Sequence, residues 1–322
     1  MVSRRAFLAG LGGVVVLPLM PRAGTAMGGQ ISVVATTGMI ADTTRAIAGD
    51  AADVRALMGP GVDPHAYRQT RTDILAMRRA DIVLWNGLYL EAQMEDVLQD
   101  LASKVPVVAV GDAVPMDARV AHDDYQNRFD PHVWMDPELW REVAFAIRDA
   151  LSKVAPDSAD VFAANAETFV AELDRLNAYA GDVLGSVPAE ARVLLTAHDA
   201  FNYFGRAYGF EVIGIQGIST ESEAGLARVS ELVDMLVERE IGAVFVESSV
   251  SDRSIRALIE GAAARGHEVR IGGELYSDAM GAPGTYEGTY IGMIDHNVTV
   301  ISAALGGAAP ARGMDGRLSV GS

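Results

Sequence analysis

Short apolar runs alternate with segments of helical spacing along most of the chain. In the first half, strands are predicted at residues 31–35, 53–58, 82–85 and 105–110, and helices at 39–48, 72–79 and 91–101. Helices at 138–154 and 157–184 follow, then strands at 192–197, 211–215, 243–246 and 268–271 and helices at 200–208, 225–239, 252–264 and 286–305. This alternation predicts the α/β class, with parallel sheets covered by helices on both faces. The Gly-Ala-rich end from residue 306 is expected to fray.

The predicted helix at 157–184 is longer than one small domain is wide, because about 28 residues at 1.5 Å each make about 40 Å. Its apolar residues recur at three- and four-residue steps, which is typical of an amphipathic helix: Val161, Phe162, Phe169, Leu173, Leu176, Val183 and Leu184. We interpret it as a rigid link between two lobes. The predicted division is an export signal (1–26), an N-terminal α/β lobe (27–155), the linking helix (156–188) and a C-terminal α/β lobe (189–322).

The first 26 residues stand apart from this pattern. Arg4 and Arg5 precede an apolar run that ends at Met20, and small residues follow at 23–26. This order is typical of a cleaved export signal, and the apolar run is too short to span a bilayer stably. The paired arginines indicate the twin-arginine type, with an uncleaved membrane anchor as the alternative. We expect the mature protein to be periplasmic.

Composition narrows the classes of function. None of the 322 residues is cysteine, which excludes disulfides, thiolate ligands and a lipid-modified cysteine at the cleavage point. Removal of the signal takes away three arginines and no acid, so the net charge changes from −17 to −20, with 23 basic and 43 acidic residues. Such a charge argues against binding of nucleic acid or anionic ligands. The negative charge favours a cationic ligand only weakly, since the need to keep the protein soluble is enough to explain it.

The triplet Asp-Pro-His occurs twice, at residues 63–65 and 130–132. Proline fixes its own φ and pushes the preceding residue towards an extended conformation, so each triplet should hold its histidine at the stiff end of a turn. His198 and Asp278 each follow an apolar strand, and ligands of parallel sheets bind beyond the carboxyl ends of strands. Three imidazoles and a carboxylate would make a closed site for a cation such as zinc. Two coincidental turns are the alternative reading of the triplets.

In combination these motifs strongly resemble those of the TroA-like metal-binding receptors of ABC importers. The matching motifs lie at residues 63–65, 130–137, 196–204, 216–220, 277–281 and 288–290, and the resemblance covers nearly all of residues 31–305. It implies two four-stranded α/β lobes joined by one rigid helix, with a metal buried between them. It also implies four metal ligands: His65, His132, His198 and Asp278.

The resemblance further implies a periplasmic substrate-binding protein that is not an enzyme. It would capture a divalent transition metal and deliver it to an ABC permease driven by a cytoplasmic ATPase. We expect a monomer that touches the membrane only through its transporter and binds no nucleic acid. Because ligand histidines must be neutral, metal affinity is expected to fall as the pH drops through about 6.5.

The choice of metal depends on the third ligand. Similar receptors with glutamate at that position usually carry manganese, whereas the imidazole of His198 suits zinc. Dedicated zinc receptors of the family carry a long His-rich, acidic loop before the second ligand, and here that region contains only His122 with Asp123 and Asp124. We therefore expect a receptor that binds Zn²⁺ tightly and also serves Mn²⁺ uptake.

A zinc-dependent hydrolase that uses the same histidines is the main alternative. It would need an open coordination position and a base beside the bound water. The sequence contains neither a His-Glu-x-x-His motif nor a His-x-His pair. A fourth protein ligand would also occupy the position that a reacting water needs.

The neighbours of the ligands can be predicted in part. Ligating histidines usually donate their second N–H to a carboxylate or a carbonyl, and four acidic residues are candidates: Asp63, Asp130, Asp199 and Glu247. Trp134 and Tyr203 are expected to shield the site. Of the other histidines, we expect His267 to lie in a loop and His296 to pack on a helix.

Overall fold

The computed structural model describes residues 29–121 and 128–319. The predicted export signal and His122 lie outside the described residues. Within these two ranges, none of the helices is long and apolar enough to cross a membrane.

The first half contains the predicted four-stranded parallel sheet. Its strands are β1 (Ile31–Ala35), β2 (Ala52–Ala56), β3 (Ile82–Trp85) and β4 (Val107–Ala109), in the order β2-β1-β3-β4. The helices between them are α1 (Gly38–Ala48), α2 (Arg71–Arg79) and α3 (Glu95–Leu101). Thr70 begins α2 with a capping box, in which its hydroxyl and the Asp73 carboxylate exchange hydrogen bonds with each other's backbone N–H groups. The predicted α/β class is therefore confirmed.

Two helices lead from this sheet to the second half. In α4 (Pro137–Val154), the Asp136 carboxylate accepts from the Glu138 N–H at 3.0 Å and proline occupies the first turn. After a 3₁₀ turn at Pro156–Ser158, α5 (Ala159–Gly185) continues for 27 residues. It packs against α1 and α4 of the first half and against later helices of the second half. One apolar core therefore runs from the first sheet across α5 into the second half.

The second half holds the other four predicted strands as two hydrogen-bonded parallel pairs. β5 (Val193–Thr196) pairs with β6 (Glu211–Gly214), and β7 (Ala243–Glu247) pairs with β8 (Arg270–Leu275). The pairs meet where β5 and β7 lie side by side. The helices are α6 (Asn202–Tyr208), α7 (Leu226–Glu238), α8 (Arg253–Ala263) and α9 (Tyr290–Ala304).

Two predicted boundaries in this half were wrong. The last strand was predicted at 268–271 but lies at Arg270–Leu275. A side chain at Gly273, whose φ is +154°, would clash with Val300 of α9, so the glycine allows the helix to pack directly on the strand. The last helix was predicted from residue 286 but begins at Tyr290, because the Thr289 hydroxyl accepts from the Gly292 N–H at 3.1 Å and caps it.

Tyr290 joins α9 to the first half. Its N–H donates to the Asp42 carboxylate of α1 at 2.8 Å, and its hydroxyl donates to the carbonyl oxygen of Trp134 at 2.8 Å. Its ring stacks on Trp140 of α4, with 5.2 Å between the ring centroids. The loop between β8 and α9 is thereby placed against the first half.

The prediction that the chain frays after residue 306 was also wrong. Leu318 is only 2% exposed, and the Met314 N–H donates to the carboxylate of Asp295 on α9 at 3.0 Å. Tertiary hydrogen bonds and one buried leucine hold a segment whose glycine and alanine content suggested no structure.

Candidate metal centre

The four predicted ligands come from four separate turns. His65 follows β2, His132 precedes the 3₁₀ turn Val133–Met135, His198 follows β5 and Asp278 follows β8. None of the four is more than 3% exposed. One ligand atom from each lies within 4.8 Å of one from every other. The fold thus gathers three imidazoles and one carboxylate, far apart in sequence, at one buried point.

The distances between these atoms fit a small cation at the centre. Nε2 of His65 lies 3.2 Å from Nε2 of His132. The two oxygens of Asp278 lie 3.4 Å from Nε2 of His132 and 3.3 Å from Nε2 of His198. In a tetrahedral zinc site with bonds of roughly 2.0–2.1 Å, ligand atoms are about 3.3–3.4 Å apart. These three distances match the edges of such a site, while Nε2 of His65 lies farther, at 3.9 Å, from Oδ2 of Asp278.

Three of the inward-facing atoms are buried without a hydrogen-bond partner among the residues that the structure describes. They are Nε2 of His198 and both carboxylate oxygens of Asp278. Asp278 and His198 are close, but their geometry does not make a hydrogen bond. Buried polar atoms are nearly always satisfied, so an unpartnered group of them needs an explanation. A bound cation would satisfy all three.

Two acidic residues orient the imidazoles as predicted. Nδ1 of His132 lies 2.6 Å from Oδ1 of Asp130, and Nδ1 of His198 lies 2.6 Å from Oε2 of Glu247. The same carboxylates accept the backbone N–H groups of their histidines, at 2.9 and 2.8 Å. When the ring is neutral, each contact holds its proton on Nδ1 and leaves the lone pair of Nε2 for a metal ion at the centre.

The other two acidic candidates have different partners. The Asp63 carboxylate accepts the backbone N–H of His65 at 2.8 Å and the hydroxyl of Thr220 at 2.6 Å, so it stabilises the turn. The carboxylate of Asp199 lies against Asn202. The prediction that Asp63 and Asp199 accept an imidazole N–H was therefore wrong.

Burial and the neighbouring carboxylates shift the pKa values of the histidines in opposite directions. Burial lowers the pKa of His65 to about 3. Burial alone would lower the pKa of His132 too, but the charges of Asp130 and Asp278 and the hydrogen bond to Asp130 outweigh it and raise the pKa to about 9. Glu247 and Asp278 likewise raise the pKa of His198 well above its ordinary value. Without metal, the rings of His132 and His198 are therefore doubly protonated and positively charged at neutral pH.

Asp278 remains ionised in this environment. Burial alone would raise its pKa, but the charges of His198 and His132 hold the pKa well below the ordinary value. The metal-free centre thus keeps its one carboxylate charged and balances it with protons on imidazoles. A metal ion that binds there replaces those protons.

Two buried aromatic residues, Trp134 and Tyr203, lie beside the site. Trp134 is fully buried, donates its indole N–H to the carbonyl oxygen of Ser277 at 2.8 Å, and meets the ring of His132 edge-on. The Tyr203 hydroxyl donates to the carbonyl oxygen of Asp130 at 2.8 Å. The first contact fixes the backbone directly before Asp278. The second fixes the backbone at Asp130, in the second Asp-Pro-His triplet.

The remaining described histidines lie away from the centre. Nε2 of His267, in the loop before β8, is 2.8 Å from the carbonyl oxygen of Ile241. His296 lies on α9 and packs against Tyr276, with 4.6 Å between the two ring centroids. Both locations match the expectation from sequence.

Sequence reasoning missed Asn86 and Glu91. The Asn86 side-chain amide donates to the carbonyl oxygen of Pro131 at 3.1 Å, directly before His132. Its own backbone N–H donates to the fully buried carboxylate of Glu91 at 2.8 Å. The sequence did contain a signal for Asn86, because this polar residue directly follows β3. His198 was selected by the same rule, since it follows the carboxyl end of another strand, β5.

Replacement of an imidazole partner is expected to weaken zinc binding by roughly 10- to 100-fold. Asp130→Asn and Glu247→Gln keep the side-chain shape but remove the charge that holds the Nδ1 proton. Zinc affinity should be measured by competition with a chromophoric chelator. Asp199→Asn is the matched control and should change the affinity much less. If it weakens binding as much as Asp130→Asn, contact with the ring is not the cause.

Comparisons with known proteins agree with this geometry. A family model described as "ZnuA: Zinc-uptake complex component A periplasmic" matches residues 33–304. The manganese-binding lipoprotein MntA of Bacillus subtilis (strain 168) is 48% identical over 283 residues, which cover 88% of this chain and 92% of that protein. The zinc-binding protein TroA of Treponema pallidum (strain Nichols) is 46% identical over 277 residues, covering 86% and 89%.

The solved structure of the periplasmic zinc-binding protein TroA from Treponema pallidum has the same fold. It aligns with a TM-score of 0.84 and 46% sequence identity, over 86% of this chain and 99% of that one.

Proposed function

The chain belongs to the family of periplasmic zinc-uptake components A, and on that premise we propose that it binds one zinc ion through four side chains. The proposed ligands are His65, His132, His198 and Asp278. The family consists of metal-binding substrate-binding proteins of ABC transporters, so the protein is a receptor and not an enzyme. The metal is its cargo.

One observation carries the assignment of ligands: four buried side chains bring their ligand atoms within 4.8 Å of one another, and Nε2 of His198 and both oxygens of Asp278 have no other partner among the described residues. A hydrolase would need a coordination position open to water. Here the carboxylate of Asp278 would be the fourth ligand, and all four side chains are buried. A closed set of four protein ligands suits capture of an ion and supports a receptor over a hydrolase.

Zinc is the proposed main cargo because three of the four ligands are imidazoles, which favour the later transition metals. Overall identity does not decide the metal, since the relatives named manganese-binding and zinc-binding are 48% and 46% identical. Both oxygens of Asp278 lie within 3.4 Å of an imidazole nitrogen. A carboxylate that binds through both oxygens raises the coordination number, which supports manganese as a second cargo.

We also propose that the protein works in the periplasm as a monomer and delivers metal to an ABC permease and its ATPase. Several relatives are named lipoproteins, but none of the 322 residues here is cysteine, so no residue of this sequence offers the thiol for such a lipid. Arg4 and Arg5 support export by the twin-arginine route, followed by cleavage of the signal.

A competition experiment tests this function. Metal-free protein should bind one equivalent of zinc or manganese, and zinc should displace manganese when both are present. Because binding to the folded state stabilises it, zinc at about 1,000 times its Kd should add roughly 4 kcal/mol to the free energy of unfolding. Melting temperature and bound metal are the measurements. Failure of both metals to bind at one equivalent would refute the proposal.

A further inference from the structure

The chain continues past the matched family region, and this continuation contacts the loop that carries Asp278. The family model ends at residue 304, whereas the structure describes residues up to 319. We call residues 306–319 the C-terminal segment. It returns along α9 towards the loop at 279–289, which begins directly after the proposed carboxylate ligand.

The first attachment of the C-terminal segment is the carboxylate of Asp295, on the buried face of α9. The backbone N–H of Met314 lies 3.0 Å from each carboxylate oxygen, and the Tyr286 hydroxyl donates to Oδ2 at 3.1 Å. One buried carboxylate thus connects the C-terminal segment to the loop at 279–289.

The second attachment is Glu287, which is only 4% exposed. Its carboxylate accepts the backbone N–H of Ser319 at 2.7 Å, while its carbonyl oxygen accepts the N–H of Gly281 at 2.9 Å. The guanidinium of Arg317 lies 4.2 Å above the ring centroid of Tyr286. The loop after Asp278 is therefore closed on itself and held from outside by the C-terminal segment.

A third contact ties the segment to the linking helix. Arg175 of α5 makes two hydrogen bonds to the carboxylate of Asp315, at 2.8 and 2.9 Å. This helix packs against both halves, so it gives the segment a fixed support. The ion pair is exposed and contributes little energy by itself, but the two bonds set the position of the segment.

Beside the loop lies a cavity of about 570 Å³. Its lining includes Asp278 and Met280, Arg317, and Met58 and Arg45 of the first half. The cavity leaves open space beside the loop and Asp278. Outward movement of the loop would carry Asp278 away from the three imidazoles.

We propose that the C-terminal segment is a positioning element for Asp278, which slows loss of metal by keeping the loop at 279–289 against α9. The proposal rests on the proposed function, because it concerns a metal held by Asp278. It assigns to Glu287, Asp295 and Leu318 a role that acts through the loop and not through contact with the ion.

Leu318→Ala tests the proposal, because it removes the buried side chain at the end of the segment. Zinc-loaded full-length protein is mixed with excess chelator and the rate of zinc loss is followed. We expect loss about tenfold faster than in wild type, as for outer groups that position a ligand. Arg317→Ala, with an exposed side chain, is a milder second variant and should change the rate in the same direction.

Leu98→Ala is the matched control, since Leu98 is a fully buried leucine in a separate apolar cluster of the first half. It should lower the melting temperature without changing the rate of zinc loss. Unchanged zinc loss in both segment variants, or equal acceleration in Leu98→Ala, overturns the proposal. If Leu318→Ala does not fold, Arg317→Ala alone decides. Absence of zinc binding by wild type would instead overturn the proposed function.

Discussion

Asp278→Asn is expected to weaken zinc binding more than loss of either imidazole partner, by more than the roughly 100-fold upper range for such partners. The substitution keeps the shape of the side chain but removes the one carboxylate among the four proposed ligands. An amide oxygen is a much weaker ligand for a divalent cation, and His132 and His198 would face no negative charge across the centre.

Zinc affinity by chelator competition is the measurement, with the melting temperature of the metal-free protein as the test that the variant folds. Asp199→Asn is the control, because it makes the same chemical change at a neighbouring aspartate whose carboxylate lies against Asn202. An Asp278→Asn protein that binds zinc as tightly as wild type would remove Asp278 from the ligand set.

Zinc binding at pH 7 is expected to release about two protons. The raised pKa values of His132, about 9, and of His198 keep both rings protonated in the metal-free protein at this pH, whereas a metal ligand must be neutral. The pKa of His65, about 3, leaves that ring neutral throughout. Affinity should therefore rise with pH from neutrality to about 9.

Calorimetric titration in two buffers with different ionisation enthalpies gives the number of protons. Asp130→Asn should release about one proton fewer, because the carboxylate that raises the pKa of His132 is gone. The sequence alone predicted a loss of affinity only below about pH 6.5, the ordinary value for histidine. If no protons are released at pH 7, the raised pKa values of His132 and His198 are wrong. The loss of affinity would then be confined to pH values below about 6.5, as the sequence alone predicted.

The same shift affects the metal-free fold. Because the pKa of His132 is higher in the folded protein than in the unfolded chain, its protonation stabilises the fold fully below about pH 6.5. That contribution is lost as the pH rises through about 9. Metal replaces the protons, so the zinc-bound protein should not share this loss.

Apolar runs predicted the strands best where both faces of the sheet are buried. β1 and β3 match the prediction to the residue, because nearly all of their residues are apolar, as is typical of strands covered by helices on both faces. The last strand was misplaced because Gly272, Gly273 and Glu274 interrupt its apolar pattern. Its extent is set by pairing with β7 and by the close approach of α9, and neither contact is visible in local sequence.

The residues of the centre were predictable for a similar reason. Proline-stiffened turns and strand ends point to His65, His132, His198 and Asp278 without knowledge of the fold. Their partners were harder to predict. Glu247 follows the strand rule, but Asn86 acts through the carbonyl oxygen of Pro131, and no spacing in the sequence records a contact between a side chain and distant backbone.

The C-terminal segment shows the limit of composition as a guide. Glycine and alanine after residue 306 indicated a frayed end, yet Asp295, Glu287 and Arg175 each bind a part of it. All three partners lie outside the segment in the sequence, so no pattern within the segment indicates these contacts. Such tertiary contacts override local propensity, and only the structure reveals them.

X-ray absorption at the zinc edge of the zinc-loaded protein tests the central claim most directly. We expect three imidazole nitrogens and carboxylate oxygen from Asp278 at roughly 2.0–2.2 Å, with no bound water. His198→Ala, if it retains zinc, should show two imidazoles. A wild-type spectrum with fewer than three imidazoles, or one that His198→Ala leaves unchanged, would contradict a centre built from His65, His132, His198 and Asp278.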